Sequence, residues 1–241
     1  SDLAGLPESA RTAAKELAKE KGKPEAWMFS LHAPSFIPFM TYAENRELRK
    51  TLWTAYNQRA FTAGEHSNKE LCENLARLRA ERAALLGYKT HADFVLSRRM
   101  AHDTKTVYDF LNNILAPSLK AAQREVNELK EFRKKTNPGN DDFMPWDFAF
   151  YSEKLKESLF NYSEEDLRPY FQLEKVIQGV FEHARKLFGL HFTESTKIPV
   201  YHPDVKIFEV TDSKGFVGLL YFDVFPRENK RGGAWMTTFL E

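Results

Sequence analysis

One uninterrupted helical period constrains this chain more than any other feature. Val107, Phe110, Leu111, Ile114, Leu115, Leu119, Ala122, Val126, Leu129 and Phe132 recur at three- and four-residue spacing between Thr104 and Lys135. At about 1.5 Å per residue such a helix is on the order of 45 Å long. An element of that length implies a mainly α fold, a bundle of long helices. Pro117 falls inside it and is expected to kink or split it, because proline lacks the N–H and crowds the preceding turn.

The rest of the chain is also largely helical in pattern. Pro7 to Lys21 carries helix formers and ends at Gly22. Ala26 to Leu31, apolar and set between Pro24 and Pro34, reads as extended. Asn45 to Ala60 puts Leu48, Leu52 and Tyr56 on one stripe. Ser67 and Glu70 have capping-box spacing before a helix that turns Leu71, Leu75, Leu78 and Leu85 inward and closes at Gly87. A shorter helix follows from Thr90 to Arg99. Asn137-Pro138-Gly139-Asn140 breaks the pattern and is the one candidate internal boundary, reading as a loop. Two helices come next, from Asp147 to Phe160 and from the capping pair Ser163/Asp166 to Gly189.

After His191 the period changes. Lys206 to Val210 and Phe216 to Val224 are β-rich runs around Asp212-Ser213-Lys214-Gly215, a hairpin signal. The expected architecture is a helical region over residues 1–190 and a small antiparallel β-sheet region over 191–241, together forming one structural unit. A charged, glycine-containing loop from Pro226 to Gly233 then leads into the apolar run Ala234 to Leu240.

Composition excludes several classes. Formal net charge is +1 with 29% charged residues, so no global field points to nucleic acid or an anionic membrane. No stretch approaches the roughly 20 apolar residues of a membrane span. The single cysteine, Cys72, rules out an internal disulfide and reads as a half-buried apolar residue on a helix. The first residues, Ser1 to Leu6, lack the basic-then-apolar pattern of a signal peptide, which suits a cytoplasmic protein unless a signal lies upstream.

Chemistry is sparse. H-E-x-x-H, C-x-x-C, a phosphate loop and G-x-S-x-G are all absent from the sequence. The seven histidines are scattered, and His183 and His191, eight apart, do not share one helical turn. Lys130, Arg133, Lys134 and Lys135 read as a solvated helix end favoured by the macrodipole. Asp147, among the aromatics Trp146, Phe148, Phe150 and Tyr151, reads as an N-cap whose neighbours plug a core. Lys230 and Arg231 could grip a phosphate or carboxylate, or could form a loop tip. Gly232-Gly233-Ala234-Trp235 either lets another backbone approach closely or makes an ordinary turn.

As an ordered set, several segments resemble the zinc metallopeptidases of the thimet oligopeptidase family. They are Pro145-Trp146-Asp147, Tyr151-Ser152-Glu153-Lys154, Leu167-Arg168-Pro169-Tyr170-Phe171, Val200-Tyr201-His202-Pro203-Asp204-Val205, Tyr221-Phe222-Asp223 and Arg227 to Met236. The segments Tyr201-His202-Pro203-Asp204-Val205 and Gly232-Gly233-Ala234-Trp235-Met236 are most like its bacterial peptidyl-dipeptidase and oligopeptidase A branches. A weaker collinear likeness runs through Leu85 to Tyr88 and His91 to Phe94.

The resemblance implies a mostly helical, two-lobed fold with a deep channel and a peptidyl-dipeptidase-like hydrolysis of short peptides, with oligopeptidase A-like endopeptidase activity as the alternative. It also implies a zinc ion held by H-E-x-x-H and a further glutamate, all C-terminal to the Gly-Gly-Ala-Trp segment. No catalytic or metal residue carries over to this chain, which on that reading is an inactive segment needing a C-terminal catalytic part. Without it, an uncovered apolar face would favour self-association. Only Gly233, Ala234 and Trp235 match a segment that lies beside bound peptide. The competing expectation is a non-catalytic helical binding module with the same fold.

Overall fold

The computed structural model describes residues 2–139, 142–227, 230 and 233. Its contacts divide the chain into two compact units, Ser1–Leu31 with Ser35–Leu159, and His32–Pro34 with Phe160–Glu241. The break after Thr136 therefore falls inside the first unit.

The first unit holds α1 (Glu8–Glu20), α2 (Ala33–Tyr42), α3 (Arg46–Asn57), α4 (Lys69–Leu85), α5 (His91–Leu96), α6 (Thr104–Thr136) and most of α7 (Phe148–Phe160). Leu6, Phe39 and Ala43 form its core, with Leu3, Phe29, Tyr42, Leu48 and Leu52 packed against them. Phe36 and Tyr56 stack at 4.1 Å between α2 and α3. The segment read as extended, Ala26 to Leu31, is irregular and docks on α1 through the Met28 N–H to the Ala14 carbonyl at 2.9 Å. Helix α2 goes against local pattern: Pro38 lies within it, yet Phe39 and Met40 are buried. Burial of large side chains here overrides propensity.

Glycine at position 5 is a geometric requirement. Its φ is +81° and a Cβ there would collide with the Tyr42 carbonyl oxygen and crowd Glu44. Gly189, which ends the helix Leu173–Phe188 of the second unit in the left-handed region, has nothing within 4 Å of where a Cβ would stand among the described residues. Gly189→Ala should therefore cost only the backbone term, about 1–2 kcal/mol. Gly5→Ala should cost at least twice as much because the Tyr42 backbone must also move. Thermal melts of the two variants check this, and equal losses would show that the Tyr42 contact does not matter.

Helix α6 runs unbroken through Pro117, so the predicted split does not occur. Asp103 caps it by accepting from the Thr106 N–H at 2.7 Å, and at about 1.5 Å per residue its 33 residues span about 50 Å. Several predicted details are corrected. The Ser67/Glu70 capping box does not form: Asn68 is the N-cap of α4, with no side-chain cap bond. The α4 stripe faces solvent, with Leu71 65% and Leu85 88% exposed, and Cys72 is exposed too. Arg133, expected to be solvated, is buried and donates to the Asp142 carbonyl oxygen. Phe110, Leu111, Ile114, Leu115 and Leu119 on α6 are exposed as well.

In the second unit the helix predicted from Ser163 to Gly189 is two elements. The Ser163/Asp166 capping pair forms, but it opens a 3-10 segment, Glu164–Tyr170. Pro169 falls in that segment, and α8 (Leu173–Phe188) starts afresh after it. Strands β1 (His191–Glu194), β2 (Lys206–Asp212) and β3 (Gly215–Phe222) make an antiparallel sheet in the order β1-β2-β3. The hairpin is the predicted one, with Asp212 opposite Gly215 and a bulge at Val210/Thr211. Ile207, Phe208 and Val210 are buried, and Phe181 of α8 stacks on Phe192 at 4.2 Å and meets Phe208 edge-on. The mainly α class with a small antiparallel sheet near the C-terminus is what the structure shows. Among the described residues no helix is long and apolar enough to cross a membrane.

Candidate functional site

The antiparallel register brings the start of β2 and the end of β3 together, with Lys206 opposite Phe222. Tyr201 precedes the first strand end and Asp223 follows the second, so both belong to one edge of the sheet. The Tyr201 and Tyr221 rings stack at 6.2 Å. The Tyr201 hydroxyl donates to Asp223 Oδ2 at 3.0 Å. Arg227, four residues on, forks onto the same carboxylate, Nη1 to Oδ1 at 2.9 Å and Nη2 to Oδ2 at 2.7 Å. The Lys230 Nζ lies 3.0 Å from Oδ1 and donates to the carbonyls of Asp223 and Phe225 at 2.6 and 3.1 Å.

These contacts shift the charges as expected. The Arg227 hydrogen bonds, helped by Lys230 and Tyr201, hold the Asp223 carboxyl well below the usual range, against an opposing effect of burial second in size only to Arg227. The hydrogen bond to Asp223 raises the Tyr201 phenol, and the same carboxylate raises Arg227. Of the two cations offered as a grip for a phosphate or carboxylate, Lys230 instead points at Asp223, as Arg227 does. Arg231 lies outside the described residues.

Gly233 has φ of +99° and is exposed, and among the described residues nothing lies within 4 Å of where a Cβ would stand. That φ is one that glycine adopts without strain. Ala234 and Trp235, the other two candidate residues, lie outside the described residues.

Zinc, implied by the resemblance, finds no ligand set in this part of the protein. Among the described residues no three His, Cys, Asp or Glu side chains come together to hold a metal. His183 Nδ1 lies 2.8 Å from the Gly179 carbonyl, and His202 Nδ1 accepts from the Asp204 N–H at 3.3 Å.

A second charged cluster, in the first unit, proves structural. Asp147 has no exposed surface and is not a lone carboxylate capping α7. It accepts from Arg46 Nε and Nη2 at 2.9 and 2.7 Å, from Arg49 Nη2 at 3.1 Å and from the Met144 N–H at 3.0 Å. Burial alone would raise its pKa, but the Arg46 hydrogen bonds, the Met144 N–H and Arg49 more than offset that and hold it below the usual value. Asp147 in turn raises the Arg46 guanidinium, while burial lowers that of Arg49. Arg49 spends its remaining donors on the carbonyls of Ala43, Glu44 and Trp146 and sits over the Phe150 ring. A cleft of about 320 Å³ beside them, lined by Phe132, Phe150 and Tyr151, thus has arginines already committed to Asp147.

Residues 39–241 match Peptidase family M3, and the chain belongs to that family. It is similar to oligopeptidase A of Escherichia coli (strain K12), 40% identical over 240 residues, covering 98% of this chain and 35% of that protein. Dipeptidyl carboxypeptidase of Salmonella typhimurium (strain LT2) is 36% identical over 243 residues, covering 99% and 35%. A probable cytosolic oligopeptidase A of Arabidopsis thaliana is 36% identical over 245 residues, covering 98% and 35%. The chain spans about a third of the length of these relatives.

Asp223 and Tyr201 carry no role in the sequence reading, although both stand in segments that resemble the family. The available signal was the spacing of Asp223 and Arg227, four residues apart in a charged stretch next to the glycines.

Proposed function

We propose that this chain is part of a cytoplasmic zinc metallopeptidase that hydrolyses oligopeptides, and that its share of the work is to hold the substrate. The observation that carries the reading is the unbroken family match over residues 39–241, joined to 40% identity with an oligopeptidase. The backbone of Gly233, Ala234 and Trp235 receives the peptide as an added β-strand. Gly233 supports this, since a glycine places no side chain where a second backbone would run. The higher identity to oligopeptidase A than to the dipeptidyl carboxypeptidase favours cleavage within short peptides over release of C-terminal dipeptides.

The metal, when bound, polarises the scissile carbonyl and activates water. Its ligands belong to an H-E-x-x-H that this sequence lacks. The exposed apolar residues of α4 and α6 are the surface against which the remaining polypeptide packs.

The expected result is that these 241 residues alone hold no stoichiometric zinc and cleave no peptide, while the full-length protein does both. Elemental analysis and a quenched fluorogenic oligopeptide measure it on each. Chelator-sensitive turnover by the 241 residues would overturn the assignment of the metal site, and a full-length protein without turnover would overturn the function.

A further inference from the structure

We propose that Asp223 is the positioning residue of the substrate strand: its carboxylate gathers Arg227, Lys230 and Tyr201 and so fixes where the backbone at Gly233 begins. This rests on the reading of Gly233 to Trp235 as the peptide-holding segment.

The argument starts from the donors. Asp223 accepts the two-pronged Arg227 fork, the Tyr201 hydroxyl and the Lys230 ammonium, which together occupy the acceptor sites of a carboxylate. Lys230 directs its ammonium at three oxygens, the carboxylate and the carbonyls of Asp223 and Phe225. Three donors meeting three acceptors is the full capacity of that group. A lysine used this way holds chain rather than attracting solvent or ligand. The Lys230 N–H also donates to the Arg227 carbonyl at 3.0 Å.

The consequence for Gly233 is a matter of reach. It lies three positions on from Lys230, and an extended chain covers at most about 3.3–3.6 Å per residue. Gly233 is therefore tethered within about 11 Å of a residue pinned to the sheet edge. The Tyr201 and Tyr221 rings stack beside it, and the pairing of Lys206 with Phe222 at this end of β2 and β3 sets where Asp223 leaves the sheet. A strand that must hold a scissile bond at a set distance from a metal needs such an anchor, since small displacements of a bound substrate are costly in rate.

The alternative is that the cluster serves stability alone, and the test separates the two. The full-length protein and its Asp223→Asn variant are assayed with a pair of fluorogenic peptides that differ by N-methylation of one amide next to the cleaved bond. Wild type should disfavour the methylated peptide, because a main-chain hydrogen bond is lost. In Asp223→Asn, kcat/KM for the plain peptide should fall at least tenfold and the preference between the two should shrink towards unity. A lower Tm with wild-type kcat/KM and an unchanged preference would overturn the proposal. If Asp223→Asn does not fold, Tyr201→Phe removes one of the donors while keeping the ring stack. It should shift the same preference by a smaller factor, and an unaltered preference there would overturn the proposal too. Limited trypsin digestion needs no activity: cleavage after Lys230 and Arg231 should be several-fold faster in Asp223→Asn. Equal digestion rates would overturn the anchor even if the wild-type protein cleaves no peptide, a result that by itself counts only against the proposed function.

Discussion

Replacing Asp147 by alanine should lower the melting temperature of the protein by roughly 6–20 °C. Removing one partner of a buried, hydrogen-bonded ion pair costs about 3–5 kcal/mol, and each kcal/mol moves a domain of this size by about 2–4 °C. The variant strands Arg49, whose side chain is only 2% exposed, without its anion, and leaves the Met144 N–H unpaired. It also unties α3 from the segment that leads into α7. The pH dependence has a definite sign. Asp147 is held below its ordinary value, so its contribution is present in full above the unfolded value, about 3.9, and is lost as pH falls through the folded one. The stability gap between wild type and Asp147→Ala should therefore be constant across neutral pH and narrow only below about pH 4. Thermal melts from pH 3 to 8 measure both. A melting point within 2 °C of wild type at pH 7 would mean that the pair merely breaks even.

That cluster also marks the limit of what the sequence could reveal. Helix positions were legible because the apolar period is local: α3, α6 and the hairpin stand where Leu48, Val107 to Phe132 and Asp212 to Gly215 put them. The residue that pairs with Asp147 was not legible. Arg46 and Arg49 precede it by about a hundred positions, and nothing local distinguishes them from the solvated charges around them. Arg133 was misread because its partners, Asp142 and the Tyr151 ring, lie beyond the loop that ends α6. In α4 the failure is of another kind. Leu71, Leu75 and Leu78 correctly signal a helix, but periodicity says which face is apolar and not whether a neighbour covers it. Of the candidate site, Gly233 could be picked out because glycine pairs have a backbone meaning. The Asp223 anchor could not, because it requires knowing that the strand register returns Tyr201 to the end of β3.

Ala234→Pro in the full-length protein should reduce kcat/KM for an oligopeptide about 100-fold while zinc content and melting temperature stay near wild type. A peptidase that accepts many sequences needs contacts that ignore side chains, and main-chain hydrogen bonds from a strand edge are of that kind. Proline at 234 removes the backbone donor and fixes φ near −65°, so a strand laid alongside loses both a bond and its alignment. The loss should appear in kcat as well as KM, because a misaligned peptide that still binds presents its scissile bond at the wrong distance. Trp235 gives a contrasting expectation. Successive side chains alternate faces along a strand, so if the backbone of 233–235 meets the peptide, the indole turns towards the protein interior. Trp235→Ala should then act mainly on stability, by about 3–5 kcal/mol if the indole is fully buried, and Ala234→Pro mainly on turnover. A proline variant that stays folded and zinc-loaded yet keeps its full catalytic efficiency would show that this strand does not hold the substrate.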